Sequence, residues 1–349
     1  MADSSPLTTE SLEIILERIP RLKIGVIGDL FLDRYLELDA ALTEPSLETG
    51  LDAYQVVSVR SSPGAAGTVV NNLVALGVGC VYPVAVLGDD GEGYELRQAL
   101  DLFPAVDSRG LILAPDRRTP TYTKPMLCES GKPPRELNRL DIKNRHCLPE
   151  AIDAQIQSKL VEIWPLVDAL VVLDQVSEAD CGVITTRTRE QLTALAATEP
   201  NKFVLADSRE RIGLFRGVCL KPNRGEALRA AGFDDRADNL EEAATRLARR
   251  AGNWVFCTDG ARGIFLASPR DNEYAHRLRI PGYPIAGPID VVGAGDSTSA
   301  AIVCAMASGA SVEVAAAFGN LVASITIQQI GTTGTATPDQ VRRRWREVS

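Results

Sequence analysis

The stretch Leu22-Lys23-Ile24-Gly25-Val26-Ile27-Gly28-Asp29 is apolar on both alternating faces beyond Lys23 and stops at an aspartate. A strand covered on both sides belongs to a parallel sheet enclosed by helices. Residues 11–20, just before it, carry helical spacing. Downstream, the segment Tyr54-Gln55-Val56-Val57-Ser58-Val59 predicts a strand with one wet face, followed by a helix over 68–76 that Gly77 stops. Residues 81–87 form another buried strand, ended by Gly88-Asp89-Asp90-Gly91, and residues 94–102 a helix. From there the spacing predicts strand 168–173, helix 178–198, strands 202–207 and 217–220, helices 224–231 and 239–251, strands 253–258 and 263–267, and a charged helix after Pro338. Such alternation predicts an α/β fold with a doubly wound, mostly parallel sheet flanked by helices. Residues 34–62 and 117–146 break the alternation and are expected to form a small β lid. The large domain is then 1–33, 63–116 and 147–349.

Composition narrows the function. The 349 residues are 45% hydrophobic and 24% charged, ordinary for a globular protein. A net charge of -9 argues against a nucleic-acid partner, which calls for a basic surface. Seven cysteines form no C-x-x-C pair and sit largely in apolar runs, so reduced thiols and a cytoplasmic location are expected. The N-terminus is polar, and no apolar run approaches the ~18 residues of a membrane span. His146 and His276 lie in polar loops without ligand spacing, which speaks against metal catalysis by His or Cys.

Ligands of doubly wound sheets bind beyond the carboxyl ends of the strands, so the polar residues there are the candidates. The run Asp290-Val291-Val292-Gly293-Ala294-Gly295-Asp296 opens into the small-residue apolar segment 297–309. A glycine turn entering a helix leaves N–H groups pointing outward at the positive end of the dipole, a site for phosphate oxygens. Asp296 beside it reads either as a base for an attacking hydroxyl or as an N-cap. Asp29 and Asp33 follow the first strand, and a carboxylate there can accept sugar hydroxyls or act as a turn cap. Gly64, Gly67, Thr68 and Asn72 mark the next strand-to-helix turn, and Asp207 ends a later strand. Asn223 and Glu226, three apart, share a helix face: they could hold waters around Mg²⁺, or form a capping box. Thr258, Gly260 and Gly263 lie in a hairpin-like turn that also lets a base or phosphate approach the backbone. Arg117, Arg118, Lys124, Lys132, Arg135 and Arg139 make the lid either a wet basic face or a grip on a phosphorylated substrate.

In order and spacing these pieces resemble the ribokinase-like (PfkB) carbohydrate kinases, from about residue 23 to 338. The resemblance implies an ATP-dependent phosphotransferase acting on a sugar hydroxyl. Asp296 would be the general base, with Gly293, Ala294 and Gly295 as the anion hole. It further implies Asn223 and Glu226 for Mg²⁺ and phosphate, Thr258, Gly260 and Gly263 for the nucleotide, and Asn320 beside adenine. Asp33 and the Gly64 turn would hold the sugar, together with Asp29, Thr68, Asn72 and Arg139. A monovalent cation such as K⁺ would sit at Asp290, the Val292 carbonyl, Gly331 and Thr335. Gly88-Asp89-Asp90-x-x-Gly93 also matches the family's turn.

Within the family, Gly28-Asp29-Leu30-Phe31-Leu32-Asp33-Arg34-Tyr35 and Leu137-Asn138-Arg139-Leu140-Asp141 are similar to the bacterial heptose-7-phosphate kinases. Those enzymes are often fused to a nucleotidyltransferase, for which this length leaves no room. The chain departs from the pattern at Pro63, Thr68, Val292 and 39–52, which weakens the substrate assignment more than the family. Alternatives are a kinase for another small polyol or nucleoside, and a catalytically silent sugar or nucleotide sensor. Exposed lid strands would favour a homodimer through edge pairing.

Overall fold

The computed structural model describes residues 6–234, 236, 238–270 and 277–349. His276 and the first five residues of the polar N-terminus lie outside them. Apolar runs become the strands β1 (Lys23–Gly28), β2 (Leu30–Pro45), β3 (Asp52–Ala65), β4 (Cys80–Gly88), β5 (Leu111–Ala114), β6 (Thr121–Cys128), β7 (Arg135–Glu136) and β8 (Leu140–Ile142). They continue with β9 (Ala169–Asp174), β10 (Phe203–Ser208), β11 (Cys219–Leu220), β12 (Val255–Thr258), β13 (Ile264–Ala267) and β14 (Arg277–Ile280).

Among the described residues the larger sheet has nine strands in the order β14-β13-β12-β11-β10-β9-β1-β4-β5. Neighbours from β12 to β5 are parallel, while β13 and β14 add antiparallel at one edge. Alternate residues of a strand enter different cores. Ile24, Val26, Ala169, Val171 and Leu173 pack on one face with helices Ala66–Ala75, Ala294–Ala307 and Val312–Thr326. On the other face Ile27, Leu170 and Val172 pack with helices Glu150–Ile163, Thr186–Thr198 and Leu240–Ala251. The period of two thus divides each strand between two helical layers.

The smaller sheet runs β3-β2-β6-β7, with β8 paired to β6. Its strands overrun the boundaries expected from sequence, because β2 starts at Leu30 and β3 ends at Ala65. One residue, Asp29, separates β1 from β2. The chain re-enters the main body beside it, where the Ala66 N–H donates to the Asp29 carbonyl at 3.0 Å.

Two expectations change. The helix expected over 178–198 begins only at Thr186, capped by the Thr185 side chain. Before it, Asp180 takes a positive φ of 55°, which ends helical continuity, and residues 175–183 form a wall of a cavity. Strands β5 and β14 had no sequence expectation: each is four residues long, and both are edge strands of the main sheet. No helix among the described residues is long and apolar enough to cross a membrane.

Candidate active site

Helix Ala294–Ala307 starts against the carboxyl edge of the main sheet. Gly293 precedes it with φ of +78°, and a Cβ there would stand 2.5 Å from Thr333 Cγ2. Only glycine combines that dihedral with that clearance. The N–H groups of Gly295 and Asp296 have no partner in the helix's first turn, nor elsewhere among the described residues.

Two cavities meet at this turn. One, of about 390 Å³, is lined by Asp33, Thr68, Lys124, Arg139, Asp207, Arg209, Lys221, Asn223, Glu226, Thr258, Val292, Gly293, Gly295 and Asp296, among others. The other, of about 490 Å³, is lined by Thr258, Gly260, Gly263, Ala294, Gly295 and Asn320, with Tyr283, Ile285, Ile289 and Val291 giving it an apolar wall. Gly295 and Thr258 border both. The first cavity is rich in charge and the second is mainly apolar, as a polyol and an aromatic base respectively favour.

Electrostatics set Asp296 apart. No hydrogen bond or ion pair among the described residues reaches its carboxylate. Burial pushes its pKa up to about 7, helped by the Asp207 charge and opposed by Lys221 and Arg209. Lys221 is itself buried, with Nζ 2.8 Å from Asp207 Oδ2. Burial alone would lower the Lys221 pKa, but the Asp207 contact outweighs it and keeps the ammonium charged. Sequence reasoning missed Lys221. The available signal was a lysine in the apolar run Val218-Cys219-Leu220-Lys221, next to Pro222-Asn223. Lys221 and Asp207 end neighbouring strands, which the Lys221 N–H to Ala206 carbonyl bond of 2.8 Å holds in register.

Asn223 and Glu226 form a reciprocal capping box: the Asn223 N–H donates to Glu226 Oε2 at 2.8 Å, and the Glu226 N–H to Asn223 Oδ1 at 2.9 Å. Yet both side chains border the charged cavity. Burial, then Asp207, pushes the Glu226 pKa up to about 7. A carboxylate held in an acidic neighbourhood with one oxygen uncommitted suits a hydrated divalent cation. Among the described residues no group of three or more His, Cys, Asp or Glu side chains is placed to hold a metal ion.

Asp33 lies 3.4 Å from Lys124. Its pKa is raised because burial outweighs that lysine. Gly64 does not border the cavity; it makes room behind it, since a Cβ there would come within 2.8 Å of Asp33 Cγ. Arg139 clamps Asp141 with bonds of 2.7 and 2.9 Å and lies over the Tyr122 ring.

Several expected residues are engaged elsewhere. Asp29 is buried and accepts from the Val183 N–H at 2.7 Å and the Gln175 N–H at 3.3 Å, so it joins segments rather than facing the large cavity. Asn72 is fully buried on its helix, and its amide donates to the Thr68 carbonyl. Asn320 borders the apolar cavity, but its amide donates to the carbonyls of Ile280 and Pro281 at 3.0 Å each. Of the cation set, Asp290 joins Val292 and Gly331 through their N–H groups, at 3.0 and 3.2 Å. Thr335 is tied instead to Gln329, whose amide donates to its carbonyl at 2.7 Å.

The profile described as pfkB family carbohydrate kinase matches residues 153–340. The chain belongs to this family. The family is described as one of carbohydrate kinases. Curated relatives include the bifunctional protein HldE of Rhodopseudomonas palustris (strain BisB18), 28% identical over 95% of this chain and 65% of that protein. The bifunctional protein HldE of Trichlorobacter lovleyi is 31% identical over 94% of this chain and 64% of its own length. The chain thus spans less than two thirds of the length of these relatives.

Among solved structures, Arabidopsis thaliana ribokinase complexed with ribose and ATP superposes with a TM-score of 0.65 at 17% identity, covering 93% of this chain and 98% of that one. Escherichia coli phosphofructokinase-2 in complex with potassium gives 0.69 at 16%, covering 93% and 99%. These likenesses show the ribokinase-like fold.

Proposed function

We propose that the chain transfers the γ-phosphoryl group of ATP to a hydroxyl of a sugar phosphate, with heptose 7-phosphate the first substrate to test. The observation that carries this reading is the shared wall at Gly295, with an apolar slot on one side and an unpartnered carboxylate facing a charged cavity on the other. ATP would lie with its base in the apolar slot and its terminal phosphate over the N–H groups of Gly295 and Asp296. Asp296, ionised, accepts the hydroxyl proton as the sugar oxygen attacks phosphorus. Lys221 and the turn's N–H groups stabilise charge that develops on the phosphoryl oxygens. Mg²⁺, which Glu226 and Asn223 would hold through water, neutralises phosphate charge when bound. On the sugar side, Asp33 accepts hydroxyl hydrogen bonds. Arg209, whose guanidinium no carboxylate pairs among the described residues, offers a grip for the substrate's own phosphate.

ADP release measured across heptose 7-phosphate, fructose phosphates, ribose and nucleosides, with and without K⁺, tests the assignment. A preference for a phosphorylated sugar supports it. Equal or better use of ribose or a nucleoside refutes the substrate class, and no sugar-dependent ADP release with any of them refutes the kinase chemistry. β3, with exposed Val56, Val57 and Val59 at the open edge of the small sheet, would pair with a second copy, so light scattering of the same preparation should give a dimer mass.

A further inference from the structure

A third, smaller cavity of about 90 Å³ adjoins the charged one, sharing Phe31, Tyr122, Gln175 and Arg209 with it. Lys143, Asn144 and Leu148, where the chain returns from β8, line one side, and Cys181, Gly182 and Val183 line another. Two thiols stand where these walls meet, Cys147 exposed and Cys181 buried. Their segments are pinned together on both sides of the pair. The Leu148 N–H donates to the Asp180 carbonyl at 2.8 Å. The Arg117 guanidinium donates to the His146 carbonyl at 3.3 Å and to the Cys181 carbonyl at 2.6 Å. These ties set Cys147 and Cys181 side by side, and the Cys147 thiol adds to burial in raising the Cys181 pKa. A disulfide asks for Cα atoms about 4.4–6.8 Å apart, a spacing that ties on both sides of the pair favour.

We propose that Cys147 and Cys181 form a reversible disulfide by exchange with a low-molecular-weight disulfide such as oxidised glutathione, and that this bond regulates the kinase by locking the two walls. The exposed Cys147 thiolate attacks one sulfur of oxidised glutathione, forming a mixed disulfide and releasing one glutathione. Cys181 then gives up its proton and attacks the Cys147 sulfur, releasing the second glutathione. The two cysteines lose two electrons and two protons, both gained by the glutathione pair. Burial pushes the Cys181 thiol up, so it stays protonated until the mixed disulfide stands beside it. Once closed, the bond fixes the stretch 143–148 to the loop 175–183, whose Gln175 and Arg209 neighbours also border the charged cavity.

The test treats the native protein with oxidised glutathione, blocks remaining thiols, and maps disulfides by mass spectrometry alongside sugar-dependent ADP release. The expected result is loss of two hydrogens, a Cys147–Cys181 crosslink, and a severalfold fall in kcat/KM that dithiothreitol reverses. Cys147→Ser and Cys181→Ser should keep untreated activity and resist the inhibition. A stable glutathione adduct on Cys147 without crosslink, a crosslink between other cysteines, or no oxidation at all overturns the proposal. Unchanged kinetics in fully crosslinked protein overturns the regulatory role. The crosslink is read by mass, so it stands or falls independently of which sugar the kinase uses.

Discussion

Asp29 and Asp296 both stand at the carboxyl edge of the main sheet, and burial raises the pKa of each, to about 6 and about 7. Their surroundings differ. Asp29 is met by the N–H groups of Val183 and Gln175, whereas the Asp296 carboxylate has no hydrogen-bond partner among the described residues. A buried acceptor given donors stiffens a joint, while one left without them is costly to ionise and free to take a proton. One carboxylate is thus engaged in assembly, and the other is the one proposed above as the base.

Replacing Asp296 by Asn should break that contrast most sharply. Loss of a general base lowers kcat by about 10²–10⁴-fold, with ATP binding retained. Stability should move the opposite way. A carboxyl whose pKa is raised on folding binds its proton more tightly in the native chain, so ionising it opposes folding. That penalty is absent below the ordinary value of 3.8 and fully present above about 7. Asp296→Asn should therefore raise Tm over wild type at pH 8 and leave it nearly unchanged at pH 4. An equal Tm gain at both pH values, or wild-type kcat, would remove Asp296 from the role of base.

Asp29→Ala, measured near pH 3.5, below the ordinary value of 3.8 where its own ionisation penalty is nearly absent, should lower stability by about 1–3 kcal/mol, since two backbone donors lose their acceptor. Urea denaturation checks it, and a stabilised variant would show that the joint is not held through this side chain. The smallest effect is expected at Ala65, which enters helix Ala66–Ala75 with φ of 52° and ψ of -117°. Ala65→Gly relieves that backbone and should raise stability by up to about 1 kcal/mol, with the same denaturation experiment deciding the sign.

Much of the fold was legible because β1, β4 and β9 are apolar on both faces, a pattern local enough to read along one chain. β5 and β14 were not, since four-residue edge strands owe their form to a neighbour distant in sequence. The loop before Thr186 was lost because Asp180's positive φ leaves no periodic trace in the sequence. At the site, the Gly293-Ala294-Gly295-Asp296 turn declared itself through glycine placement at a helix start. Lys221 did not, because its partner Asp207 is supplied by an adjacent strand. For Asn223 and Glu226, the capping box and the cavity-facing pair are both present, so neither reading excluded the other.

The crossing from β1 to β2 through one residue has a mechanical consequence. β2 has 16 residues, so at ~3.3 Å per residue it reaches at most about 50 Å. Both ends of the β2–β3 arm are anchored beside Asp29, like an oar in a single rowlock. A swing of only a few degrees at that fulcrum sweeps the far tip through several ångströms, while Asp33, four residues out, scarcely moves.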